Sequence, residues 1–118
     1  MEEPFQPHEN WAPELNRAHA ESELQGGCDL DKVPIGGLVL VTTRHDRFVI
    51  EKFSDGYTIH GHKLYCPEPT RCTIAGSIYH PKGSMLRRRF IGRGMFMEFG
   101  LSDYPRMVSS EVMDVVEL

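Results

Sequence analysis

The chain has 118 residues, 40% of them apolar and 25% charged, with a net charge of −4 and a sequence pI of about 5.8. That length supports one core and excludes a second of comparable size, the composition excludes wholesale disorder, and no run approaches the roughly 20 apolar residues that span a bilayer. The acidic, proline-bearing start lacks the basic and apolar stretches of a signal peptide, and three cysteines are too few for a disulfide scaffold, so a cytoplasmic protein is expected.

Residues 1–10 hold two prolines and three glutamates and read as a mobile acidic tail. From Trp11 to Leu24 the pattern fits a short helix, with Asn10 as N-cap and Pro13 in the first turn. The Gly26-Gly27 pair then makes a linker at 27. Trp11, Leu15 and Ala18 form a thin apolar stripe, so that helix is marginal unless it docks.

From 28 to 118 every segment reads as strand and turn. Leu38-Val-Leu-Val-Thr-Thr43 is β-branched, Arg47 to Phe53 follows, and Ser54-Asp55-Gly56 is a hairpin turn signal before Tyr57-Thr-Ile-His60. Pro67-Glu-Pro69 forbids regular pairing and marks a crossover loop. Cys72 to Tyr79 alternates, with Cys72, Ile74, Gly76 and Ile78 on one face and Thr73, Ala75, Ser77 and Tyr79 on the other. Met85 to Phe99 reads as two apolar-patterned strands hinged at Gly92 and Gly94, and Met107 to Val116 closes the chain.

About seven short strands with no amphipathic helix between them predict an all-β domain. Their shortness favours a small antiparallel β-barrel, SH3-like in scale, over a two-sheet sandwich. Gly94-Met-Phe-Met-Glu-Phe99 followed by Met107-Val-Ser-Ser-Glu-Val-Met-Asp-Val115 resembles a group of short uncharacterised bacterial β-barrel proteins over roughly the last 80 residues. The resemblance implies the fold and brings no activity with it.

Charge is segregated along the chain. Residues 1–32 carry −6, residues 33–70 cancel, residues 71–93 hold six basic side chains and no acid, and residues 98–118 return −4. Alternation puts Arg88 with Leu86 and Phe90, and Arg87 and Arg89 with Met85 and Ile91, so at least one guanidinium points toward the core. It must then reach a rim or meet a carboxylate, with Glu98, Asp114 and Glu51 as the candidate partners.

This arginine strand, 85–99, is the expected contact surface of a non-catalytic binding or regulatory module. Arg87, Arg89 and Arg93 supply charge, and Tyr79 and Phe90 supply flat apolar area. A protein partner or self-association is expected first. Single-stranded nucleic acid or a phosphate ligand is the alternative, held back by the low pI.

Other constellations carry less. His60, His62, Cys66 and Cys72 are zinc-ligand types, yet no Cys-x2-Cys occurs, and Cys72 alternates with Ile74 and Ile78 as a core residue does. Ser84, Ser109 and Ser110 lie in no nucleophile elbow, and Gly92-Arg-Gly94 lacks the strand-turn-helix setting of a phosphate loop. No cofactor, metal or catalytic residue is therefore assigned, and a small enzyme or metal-binding domain stands as the second alternative to the binding module. Met95, Met97 and Phe99 share a core face, leaving Phe96 and Met113 as candidates for an exposed apolar patch.

Overall fold

Runs of β-branched and aromatic residues with a period of two suit a pleated, half-buried surface, and after residue 26 this chain offers little else. The computed structural model describes residues 26–80 and 86–118. Among them nine strands form: β1 (Gly27–Asp29), β2 (Leu38–Thr43), β3 (Arg47–Phe53), β4 (Gly56–His60), β5 (Thr70–Ile78), β6 (Leu86–Arg88), β7 (Phe90–Gly92), β8 (Phe96–Gly100) and β9 (Met107–Glu117). A single 3-10 turn, Leu30–Lys32, follows β1. The expected tail at 1–10 and helix at 11–24 lie outside the described residues, and no described helix is long and apolar enough to cross a membrane.

Six strands close on themselves in the order β4-β3-β2-β9-β8-β5, with β5 returning to β4 through Tyr57↔Cys72, Thr58↔Arg71 and Ile59↔Thr70. All pairs are antiparallel. The expected all-β barrel is therefore present as a closed six-stranded cylinder, with additional strands attached. Closure gives each of these six strands a neighbour on both edges, protection that short strands in an open sheet would lack.

The interior follows the sequence alternation. Val39 and Val41 of β2, Phe48 and Ile50 of β3, Ile59 of β4, Met97 and Phe99 of β8 and Val112 of β9 are all buried. Phe48 and Phe99 meet edge to face across the core, ring centroids 5.6 Å apart. Leu30, wholly buried on its 3-10 turn, joins this core, and Lys52 Nζ donates to the Leu30 carbonyl at 2.7 Å.

Two departures from the sequence reading matter for the site. First, β5 carries an irregularity between Ile74 and Gly76, where Ala75 has no partner in the register with β8. Beyond it Gly76, Ser77 and Ile78 are all buried, so both of the faces that the alternation separates are covered there. The cause is β7, which covers the second side of β5: Ser77 Oγ donates to the Phe90 carbonyl at 2.7 Å and accepts from the Gly92 amide at 3.1 Å.

Second, the first strand of the expected hinged pair is itself broken. Arg89 adopts φ 53 between β6 and β7, so the simple alternation of three arginines ends there. β6 stays on β5, with Arg87↔Ser77, while β7 turns away to pair with β1, with Ile91↔Cys28. Gly76 (φ 139) makes the crossing fit, since a Cβ there would lie 2.0 Å from the Arg87 carbonyl oxygen. The Arg89 amide then donates to Ala75 O at 2.9 Å, and Arg89 O accepts from Leu30 at 2.8 Å.

Candidate functional site

The arginine bend, running from β6 through Arg89 into β7, sorts its charges by what lies within reach of each. Arg87 is half-buried with its guanidinium carbon 3.7 Å from the centre of the Phe90 ring. Stacking on the ring face shields much of that charge from water. Arg89 turns outward to Asp31, Nε to Oδ1 at 3.0 Å, and both side chains are more than half exposed. Arg93 is held by Asp114, at 2.9 Å from Nη2 and 3.0 Å from Nε, and by the Val115 carbonyl at 3.1 Å. Of the carboxylates expected to receive an arginine, Asp114 holds Arg93, and Glu98 holds Arg106.

Tyr79 is half-buried one residue past the end of β5. Arg87 and Phe90 are thus brought into direct contact, Arg89 shares their bend, and Arg93 is drawn to β9. Arg88, which the sequence reading did not single out, is exposed and forms no ion pair among the described residues.

Arg88 and Arg89 border a shallow cleft of about 260 Å³ whose remaining lining is Ile74, Ala75 and Leu86. β4 occupies the edge of β5 at residues 70–72 and β6 the same edge at 76–78, so the stretch between them is left uncovered by a strand. Leu86 and Arg88 share one side of β6, and that adjacency is visible in the sequence alternation. The apolar floor from Ile74 and Ala75 is supplied only by strand pairing.

Two further clefts lie elsewhere. One of about 260 Å³ is walled by Gly27, Cys28, Asp29, Lys32, Phe90, Val115 and Glu117, and one of about 390 Å³ lies where the start of β5 meets the end of β8.

The thiols and hydroxyls are engaged structurally. Burial pushes the Cys72 thiol up to about 12, with Cys66 adding to the rise and Arg71 opposing it. Cys28 is raised by burial and then by Glu117 and Asp29, and Cys66 is raised mainly by burial. Neutral thiols are poor nucleophiles and poor metal ligands. Among the described residues no three His, Cys, Asp or Glu side chains stand close enough to share a metal ion. His62 instead accepts at Nδ1 from the Leu64 and Tyr65 amides, at 3.2 and 3.3 Å.

Ser109 Oγ accepts from the Met97 amide at 2.9 Å and donates to Ser110 O at 2.7 Å, while Ser110 Oγ donates to Thr43 Oγ1 at 2.8 Å. These hydroxyls tie β9 to its neighbours. Of the expected apolar patch, Met113 is half exposed and Phe96 is half-buried. No family model matches the chain, and no curated protein or solved structure resembles it closely enough to count as a match.

Proposed function

We propose that the protein is a non-catalytic binding module whose contact surface is the arginine bend, and that this surface takes an acidic protein segment bearing an apolar side chain. The observation that carries the reading is the cleft floored by Ile74, Ala75 and Leu86 and bordered by Arg88 and Arg89. At about 260 Å³ it falls below the roughly 300–1,000 Å³ of small-molecule sites, a size suited to one anchoring side chain. Arg88 is free to form a forked pair with a carboxylate. Arg89 can exchange its partner, because an exposed pair such as Arg89–Asp31 contributes only about 0–1 kcal/mol.

Single-stranded nucleic acid is favoured less at this surface. Bases need exposed flat rings, and here Arg87 covers a face of Phe90 while Tyr79 is half-buried.

The test is a fluorescence-anisotropy titration of the full chain with a labelled peptide alternating Glu and Leu, beside a labelled oligothymidine of equal charge. The peptide should bind more tightly, and Arg88→Glu should weaken it about tenfold or more, in line with loss and reversal of one charged contact. Equal binding by wild type and Arg88→Glu, or tighter binding of the oligothymidine, would overturn the reading.

A further inference from the structure

We infer that the cleft at the arginine bend is occupied in cis by residues 1–25 of this same chain, an acidic stretch that competes with an outside partner for the site. The inference rests on reading the bend as a surface for acidic segments bearing an apolar side chain, and it names the first such segment that the surface meets.

Residues 1–25, which lie outside the described residues, have the composition the cleft calls for. They carry Glu2, Glu3, Glu9, Glu14, Glu21 and Glu23 against Arg17 alone, so the chain's −4 is a stretch of −5 beside a remainder of +1. Each of these acids stands within three residues of Phe5, Trp11, Leu15 or Leu24. A carboxylate close to an apolar side chain is thus available along the whole stretch.

The barrel supplies the other half. Arg44, Arg71, Arg93 and Arg106 are each matched to a carboxylate of the barrel, Glu111, Asp55, Asp114 and Glu98 in turn. Arg88 is exposed and has no such partner, and Ile74, Ala75 and Leu86 floor the cleft beside it. Asp31 is already held by Arg89 at 3.0 Å, so its charge does little to oppose a carboxylate arriving at Arg88.

The described chain also begins beside this site. Gly26 O accepts from the Arg93 amide at 3.1 Å, and the Leu30 amide donates to Arg89 O at 2.8 Å, so the entering strand and the bend form one unit. Arg89 lies four positions before Arg93, which puts the bend within about 20 Å of the point where residues 1–25 join the barrel. Twenty-five residues can span that distance several times over.

Tethering then sets the occupancy. A segment joined to its own site acts at an effective concentration on the order of 1 mM. Against an intrinsic Kd of about 0.1 mM, modest for one charged contact and one apolar anchor, it fills about nine sites in ten. An outside ligand then binds about tenfold more weakly than the open cleft would allow.

Trp11 is the one tryptophan of the chain and lies within this stretch, so its emission reports docking without a label. In Arg88→Glu that emission should shift to the red and become more open to acrylamide quenching. Arg44→Glu, which changes the net charge equally at an arginine paired with Glu111, should leave it as in wild type. In the full chain, Glu2→Gln, Glu3→Gln, Glu9→Gln, Glu14→Gln, Glu21→Gln and Glu23→Gln combined should let the labelled Glu-Leu peptide bind about tenfold more tightly. Adding Arg88→Glu to that sixfold variant should cancel the gain, and circular dichroism should show every variant folded. Trp11 emission and quenching that are equal in wild type and folded Arg88→Glu would overturn the inference. Measurable but equal peptide affinity in wild type and the sixfold variant would also overturn it; if Arg88→Glu still weakens the peptide, the binding module stands and only the competitor in cis falls. A Trp11 signal that varies with protein concentration would give the cleft to the stretch of a second copy and likewise overturn the assignment in cis.

Discussion

Ser77 does by a side chain what strand pairing cannot do at that point. β6 occupies its edge of β5, so β7 can reach β5 only across the face, and the Ser77 hydroxyl supplies both a donor to Phe90 O and an acceptor for the Gly92 amide. Both β7 groups face a wholly buried residue. Removing the hydroxyl leaves a buried donor and acceptor without their partner, at about 1–3 kcal/mol each before relaxation. Ser77→Ala should therefore lower the unfolding free energy by about 2 kcal/mol in urea titrations. Arg44→Ala, which removes only an exposed pair with Glu111, should change it by less than about 0.5 kcal/mol. The sequence shows Ser77 only as a polar position in an alternating strand; that it lies beneath a second strand depends on Phe90, thirteen residues away.

The β6–β7 bend is an element built on a conformation that most side chains avoid. Arg89 at φ 53 is the single non-glycine residue with positive φ among the described residues, and it turns β6 off β5 and into a pair with β1. A left-handed conformation costs an ordinary residue about 1–2 kcal/mol, and more for a β-branched one. The exposed Arg89–Asp31 pair offsets about 0–1 kcal/mol of that. Arg89→Gly should consequently melt at or above the wild-type temperature, whereas Arg89→Val should lose more than about 1 kcal/mol by thermal unfolding. Equal melting of the two variants would show that the bend stores no such strain. Glycines at 92 and 94 are the visible hinge signal in this stretch, and Gly94 does take φ 81. The other break falls on an arginine, where local propensity gives no warning.

At the scale of the molecule, the buried thiols link the barrel to pH. Cys72 moves from 9.0 in the unfolded chain to about 12 in the barrel, and Cys28, Cys66 and Tyr57 shift upward with it, chiefly through burial. Raised values mean that the folded chain holds protons that the unfolded chain gives up. The contribution is complete below pH 9.0 and is lost as pH rises toward about 12. Stability measured by urea unfolding should thus fall across that window, and Cys72→Ala should make the fall shallower. A variant whose pH profile superimposes on wild type would show that Cys72 is not sealed from solvent charge.

The barrel itself was readable residue by residue: Val39, Val41, Phe48, Ile50 and Ile59 lie where a period of two puts them, and Pro67 and Pro69 do fall between strands. Period and turn chemistry are local, so the sequence alone determined an all-β chain and the buried face of the regular strands β2 and β3, while the irregularities in β5 and β9 and the break at Arg89 lay outside it. Only the tertiary structure decided what stands opposite. Asp31 meets Arg89 across 58 residues, Arg93 meets Asp114 across 21, and Arg87 settles on Phe90, which leaves Arg88 beside an apolar cleft. Partner choice depends on which strands pair and where a strand breaks. These are properties of chain closure that no single window of residues contains.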